Sequence, residues 1–79
     1  MEHIIVYAVD NSDRKVTVDS NVLINKKVCG KVGNQIQVDA GSMDISIDMS
    51  SAETRRIIVD GTSATRPKKI NVRIFAKGY

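Results

Sequence analysis

The sequence predicts an all-β fold, a small antiparallel β-sandwich of six to eight short strands. Ten valines, ten isoleucines and four threonines make up 24 of the 79 residues, whereas leucine occurs once. Such β-branched side chains are stiff at χ1 and pack well on a pleated sheet. Apolar and polar residues alternate along most of the chain, and turn-forming residues recur every roughly eight to twelve positions. These observations exclude a helical bundle or a coiled coil.

The first half of the chain divides into five candidate strands. Residues 4–9 are apolar on both faces and end at residues 10–13, where Asp, Asn and Ser favour a turn. The other candidates are short and cover residues 14–18, 21–24, 28–31 and 35–39. Asn25 marks a turn between them, and Gly30 marks a bulge or a point of close approach, because both residue types tolerate unusual backbone conformations.

The second half of the chain contains the two best-defined core faces. One is formed by Met43, Ile45, Ile47 and Met49, and the other by Ile70, Val72 and Ile74. Residues 54–59 form a further strand between them. Gly41 and Gly61 mark turns, since glycine accepts positive φ without steric cost. We expect one domain over residues 1–79, with residues 76–79 as a frayed tail.

The charge of the chain is mildly basic, with a net charge of +3 and an isoelectric point of about 9.2. A basic patch across neighbouring strands could neutralise phosphates and give salt-sensitive binding. Asp44 and Asp48 could consume part of that charge by pairing with Lys69 or Arg73. Three aromatic residues are too few to provide the usual stacking platforms, which disfavours nucleic acid as the partner. The candidate patch consists of Lys26, Lys27, Arg55, Arg56, Lys68, Lys69 and Arg73.

Residues for catalysis or metal binding are scarce. His3 and Cys29 are the only histidine and cysteine, whereas a structural zinc site takes four such ligands. We expect Cys29 to be a partly buried small hydrophobe rather than a nucleophile. The glycines of residues 30–33 are too close together for a phosphate-binding loop. The sequence thus predicts no catalytic residue, no cofactor and no metal, and a chain that is not an enzyme.

The apolar first strand suggests self-association. A strand of a sandwich faces the core on one side only, so the second apolar side of residues 4–9 needs another cover. A second copy of the chain would provide it. Ile5, Tyr7 and Val9 are the residues expected at such an interface.

The sequence also bears on the compartment. No apolar run reaches the roughly 20 residues that cross a bilayer as a helix. The first three residues lack the basic region of a signal peptide. A single cysteine cannot form an intramolecular disulfide, which favours a reducing compartment. If Met1 is the native start, the protein is predicted to be cytoplasmic and to have no membrane span.

The middle of the chain carries a family-like succession of motifs. Residues 22–27 (VLINKK) are followed by Gly30 and by an alternating run over residues 35–47 with a turn at Ala40-Gly41. This succession resembles the PEGA domain, a small β-sandwich. Lys26 stands where that family often has glycine, and Asp39-Ala40-Gly41 replaces its namesake Pro-Glu-Gly-Ala. The resemblance implies a non-enzymatic accessory or adhesion-like module, with Asn25, Gly30 and Gly41 as structural positions.

These observations together predict a non-catalytic interaction module. It would bind a protein partner, or a second copy of itself, through strand edges and faces. A small basic nucleic-acid-binding β domain is the alternative.

Overall fold

The structure, a computed structural model, describes residues 1–75, and within them the prediction of a small all-β sandwich is confirmed. Eight strands form two sheets. The predicted tail, residues 76–79, lies outside the described residues. The strands are β1 (Glu2–Val9), β2 (Lys15–Val16), β3 (Asn21–Ile24), β4 (Lys27–Lys31), β5 (Gln35–Val38), β6 (Gly41–Ile47), β7 (Arg55–Val59) and β8 (Lys68–Arg73).

The first sheet is built around β1. One edge of β1 pairs antiparallel with β5 along its first half and with β2 at its end. The other edge pairs with β8 in parallel, from Ile4 opposite Lys68 to Val9 opposite Arg73. The first and the last described strands are therefore neighbours, and this parallel pair is an exception within an otherwise antiparallel fold.

The second sheet is antiparallel throughout and has the order β4, β3, β6, β7. Its edge strands are β4 and β7, and its longest ladder, with five residue pairs, joins β6 to β7. The predicted strand over residues 14–18 shortens to β2, because the chain leaves the first sheet there and joins the second at β3.

The core lies between the sheets and uses the predicted faces. Met43, Ile45 and Ile47 of β6 are buried, as are Ile70 and Val72 of β8. The flanking Met49 and Ile74 are partly buried against this core. Period-two alternation thus identified the inward side of both strands. The largest side chains that are almost completely inaccessible to solvent are Ile4, Val6, Val22, Ile45, Ile47, Val59 and Val72.

The predicted turn residues are confirmed at two positions and corrected at a third. Asn25 has a φ of 51° and Gly61 one of 71°, so both lie in the left-handed region. Gly41 also has a positive φ, but it does not form the predicted hairpin corner. The chain passes there from β5 in the first sheet to β6 in the second, because β6 pairs with β3 and β7 instead of with β5.

Candidate interaction surface

An open cleft separates the edge strands β4 and β5, which belong to different sheets. It has a volume of about 400 Å³, with the apolar side chains of Ile24, Val38 and Met43 among its lining. Binding sites are usually concave and combine apolar with polar groups, as this cleft does. The polar and rim residues are Asn25, Lys27, Cys29, Gln37, Asp39 and Ser42, together with Met1 and Ala40.

The hairpin from β3 to β4 positions one wall of this cleft. Its two turn residues, Asn25 and Lys26, both have positive φ, which is the geometry of a type I′ turn. Asn25 also fixes the hairpin to β6, since its side-chain oxygen accepts a hydrogen bond from the Asp44 amide at 3.0 Å. The backbone N–H of Asn25 donates a hydrogen bond to the backbone carbonyl of Asp44 at 2.8 Å. The turn therefore holds the start of β4 rigidly against the sheet.

A bulge and a close contact shape the far end of β4. Val22 pairs with Gly30 and Leu23 with Val28, so Cys29 is an extra residue in the ladder. A Cβ on Gly30 would lie 2.7 Å from Cγ1 of Ile36 on β5. Gly30 is thus both the predicted bulge neighbour and a point of close approach. Because β4 and β5 touch at this point, the cleft is closed at the Gly30 end.

The edge of β4 is free, whereas the edge of β8 is covered. On β8, the Arg73 amide donates to Glu53 Oε2 at 2.9 Å, and the Arg73 carbonyl accepts from the Glu53 amide. Arg55 Nη1 donates to the Asn71 carbonyl at 2.7 Å. In residues 1–75, by contrast, β4 pairs only with β3. All of its residues are exposed except Gly30, which is half-buried.

The expectation that Cys29 is partly buried is wrong. Its thiol is free and exposed, because the bulge displaces it from the core at the rim of the cleft. His3 lies on β1, where Nδ1 is 3.1 Å from Oε1 of Gln35, and it does not line the cleft. Within residues 1–75 no group of three or more His, Cys, Asp or Glu side chains could hold a metal ion.

The second face of β1 is half-covered by the chain itself. Ile5 and Tyr7 are partly exposed, and Lys15 Nζ lies 4.1 Å from the centre of the Tyr7 ring. Val9 is only 2 % exposed, so it is not available at the predicted self-association interface. It lies beside Lys15 in the ladder to β2 and beside Arg73 in the ladder to β8. The accessible part of the predicted interface is reduced to Ile5 and Tyr7.

The predicted basic patch does not assemble as one surface. Lys26 and Lys27 belong to the β3–β4 hairpin at one edge of the second sheet. The others lie on β7, at the opposite edge of that sheet, and on β8 of the first sheet; they are Arg55, Arg56, Lys68, Lys69 and Arg73.

Two arginines of the patch are neutralised, by partners other than those predicted. Arg56 pairs with Asp44 across β7 and β6 at 3.0 Å. Arg73 pairs with Asp13, and this hydrogen bond raises the pKa of its guanidinium. The expected pairing of Asp44 with Lys69 or Arg73 is wrong, because β6 and β8 belong to different sheets.

A network of hydrogen bonds joins the β7–β8 connection to β1. The Thr62 amide and hydroxyl donate to Glu2 Oε1 at 2.8 and 2.7 Å, and Thr62 Oγ1 accepts from the His3 amide at 2.7 Å. The two bonds from Thr62, above all the one from its amide, lower the pKa of Glu2 below its ordinary 4.5. The amides of Arg14 and Ser12 likewise lower the pKa of Asp10 below its ordinary 3.8.

Acid should therefore destabilise the fold through these two carboxylates. A carboxylate with a lowered pKa in the folded state stabilises above its ordinary pKa, and this contribution is lost as the pH falls through the folded value. We expect the Tm to fall progressively below about pH 4.5, with a shallower slope in Glu2→Gln and in Thr62→Val. Differential scanning calorimetry between pH 3 and pH 7 measures this. If the Tm falls with pH equally steeply in the wild type and in both variants, the hydrogen bonds of Glu2 are not a cause of the acid destabilisation.

Comparisons with known proteins return no match: no family model, no curated protein and no solved structure resembles this chain closely enough to be identified. In the described part of the chain, no helix is long and apolar enough to cross a membrane.

Most strands that line the cleft are predicted by the sequence, but the cleft itself is not. Residues 28–31 and 35–39 were separate candidate strands, and nothing in their alternation shows that they face each other from different sheets. The Lys-Val-Cys-Gly-Lys composition of β4 was a usable signal, because lysines and a bulge are typical of an unpaired edge.

Proposed function

We propose that this chain is a non-catalytic β-sandwich module that binds a protein partner at the cleft and the adjoining edge of β4. The observation that carries the proposal is the position of a cleft of about 400 Å³, lined by both apolar and polar side chains, directly beside an unpaired strand edge. A free edge supplies backbone donors and acceptors for main-chain recognition, and a neighbouring pocket supplies specificity.

Two further points support a binding role over catalysis. The cleft presents one thiol, Cys29, without a histidine among its lining residues, whereas a cysteine nucleophile needs an adjacent base. The resemblance of residues 22–47 to the PEGA domain points in the same direction, because it implies a non-enzymatic module. The type I′ turn at Asn25-Lys26 gives Lys26 the positive φ at which the family often has glycine.

The sole cysteine allows the cleft to be closed reversibly. A bulky methanethiosulfonate reagent on Cys29 would fill the cleft, and a reductant would remove it from the same protein sample. We expect affinity capture from the source cells to yield a partner with the free protein, to lose it after modification and to recover it after reduction. The Cys29→Ser variant, treated identically, should capture the partner throughout. Capture that is unaffected by the modification would refute binding at the cleft.

Self-association is the second form of this proposal, and it uses the accessible pair on β1. Ile5 and Tyr7 share the outer face of the first sheet and are only partly covered. Light scattering across micromolar concentrations would then show a mass that rises from monomer to dimer, and Tyr7→Glu would abolish the rise. A mass that stays monomeric up to several hundred micromolar would remove this form and leave the protein partner.

A nucleic-acid role is the alternative, favoured by the five basic residues that lie on β7 and β8. Arg56 and Arg73 are already paired with carboxylates, and Arg55 donates to a backbone carbonyl. Of these five residues, only Lys68 and Lys69 are left for phosphates. We therefore expect no oligonucleotide mobility shift at about 150 mM salt, where counterion release weakens such contacts. A shift that persists there and is lost in Lys68→Glu/Lys69→Glu would establish the alternative.

A reducing compartment fits the position of the thiol. An exposed unpaired cysteine forms intermolecular disulfides readily under oxidising conditions. We therefore place the module in the cytoplasm as part of the proposal. Dimers linked by a Cys29 disulfide, isolated from the source cells under alkylating conditions, would contradict this location.

A further inference from the structure

We propose that the β4 edge binds an extended, acidic segment of a partner protein as a fifth strand of the second sheet. This inference rests on the proposed function and specifies the conformation and the charge of the partner. Three features of β4 support it: the direction of its backbone groups, the cleft at its side and the lysines at its start.

The backbone of Val28 points away from the sheet. Ile24 and Lys27 flank the two-residue turn and pair with each other. Such a flanking pair is hydrogen-bonded, and bonded and non-bonded pairs alternate along an antiparallel ladder. The N–H and C=O of Val28, which pairs with Leu23 at the next position, are therefore available to a new strand. The side chain of Val28 is itself 59 % exposed.

The cleft gives an added strand an apolar contact on one of its faces. Successive side chains of a strand point to opposite faces. An extended segment beside β4 would thus direct every second side chain towards the mouth of the cleft, where Met1 and Ala40 are exposed, and the others to solvent. The bulge at Cys29 breaks the regular ladder, so the paired stretch is short and centred on Val28.

The lysines at the start of β4 select an acidic occupant. Residues 1–75 contain three ion pairs, and neither Lys26 nor Lys27 takes part in them. Lys31, at the end of the strand, pairs with Asp19 at 3.2 Å. Asp39 on the far wall of the cleft would repel an acidic side chain, so the acidic side chains of the occupant would lie on the β4 side, beside Lys27. A glutamate opposite Lys27 would gain the cross-strand pairing that the chain itself does not supply.

The same charges disfavour a second copy of the chain at this edge. If two β4 strands paired antiparallel around Val28, the Lys27 side chains of the two copies would be diagonal neighbours on the same face of the sheet. Like charges at this separation repel each other, and edge lysines are a common protection against self-pairing. Pairing of β4 with a second β4 is therefore disfavoured, whereas pairing with an acidic strand is favoured.

Three synthetic peptides of nine residues, capped at both ends, test the proposal. The first alternates valine and glutamate, the second alternates valine and lysine, and the third is the first peptide with proline at its centre. We expect only the first to shift the amide resonances of Lys27, Val28 and Cys29 in ¹⁵N-labelled protein and to slow hydrogen exchange at Val28. Proline should abolish binding, because it removes a donor that an added strand requires.

Charge reversal provides the matched variants. Lys27→Glu should weaken binding of the acidic peptide by up to about fivefold, the range for an exposed ion pair, and should improve binding of the lysine peptide. Lys68→Glu carries the same charge change on the other sheet and should leave both affinities nearly unaltered. Thermal unfolding of each variant verifies that it is folded.

Four results would overturn the inference: equal binding of the acidic and basic peptides, unchanged binding of the proline peptide, no resonance shift at millimolar peptide, or shifts that follow protein concentration without peptide. The fourth would indicate a second copy at the edge. The capture experiment with blocked Cys29 separates this inference from the proposed function. If capture depends on the open cleft while the acidic peptide fails, the module binds a partner of different chemistry; if both fail, the cleft is not a binding site.

Discussion

Replacing Ile45 by alanine should remove a large share of the free energy of unfolding. Ile45 is completely buried at the centre of the second sheet, where it pairs with Ile24 on β3 and with Arg55 on β7. Truncating a buried isoleucine costs about 2–5 kcal/mol, because the lost burial is followed by a cavity. A chain of this length is stable by only about 4–12 kcal/mol, at about 0.05–0.15 kcal/mol per residue. Urea denaturation followed by circular dichroism should show a midpoint lowered by more than about 1 M.

Ile58 provides the matched control for this substitution. It is the same residue type on the neighbouring strand β7, but its side chain is 69 % exposed. Ile58→Ala should change the free energy of unfolding by less than about 0.5 kcal/mol, as is usual for surface positions. Similar losses of unfolding free energy in both variants would show that β6 does not occupy the centre of the core.

The contrast between Ile45 and Ile58 also shows what the sequence could predict. Alternation assigned Ile45 to a core face, and the structure agrees. The same alternation along residues 55–59 places Ile58 on the side of β7 opposite Val59, which is buried. Period-two alternation is a local property, so it determines which side chains share a face of a strand. The all-β fold, the positions of most strands and the inward sides of β6 and β8 were all accessible in this way.

Strand partners were not accessible, because alternation does not reveal which strand lies beside which. The parallel pairing of β1 with β8 joins segments that are more than sixty residues apart. The change of sheet between β5 and β6 resembles a hairpin in sequence, since Gly41 suits either connection. Both features determine the site. The pairing of β1 with β8 leaves β4 and β5 as facing edges, and the change of sheet places Asp39 and Ala40 at the rim of the cleft.

Two single residues show how neighbours override the local pattern. By alternation Val9 belongs to the outer face of β1, yet it is buried and lines a cavity with Asp13 and Arg73. Cysteine is a residue type that is usually buried, yet a bulge exposes Cys29 to solvent. In both cases a distant or irregular pairing determines exposure, and a single sequence does not encode such pairings in any short motif.

Adding a single methyl group at Gly30 should be the most disruptive small change near the cleft. A Cβ at this position would lie 2.7 Å from Cγ1 and 2.8 Å from Cδ1 of Ile36. Ile36 is only 5 % exposed and packs in the core, so its side chain cannot rotate away freely. Overpacking of this kind costs about 1–3 kcal/mol. We expect Gly30→Ala to lower the free energy of unfolding by that amount, and Gly30→Val to lower it further, in urea denaturation.

A double-mutant cycle identifies the contact as the cause. Ile36→Val removes Cδ1, one of the two clashing atoms, so Gly30→Ala should cost less in the Ile36→Val background than in the wild type. Gly33→Ala serves as the comparison: Gly33 has a φ of 87° and no atom within 4 Å of its Cβ position. Its cost, about 1 kcal/mol of backbone strain, should be the same in both backgrounds. If the cost at Gly30 is also independent of Ile36, the two sheets do not meet at this point, and the closed end assigned to the cleft is wrong. If the two costs separate as expected, the glycine holds β4 against β5 at one end, and the cleft opens from that contact towards Lys27.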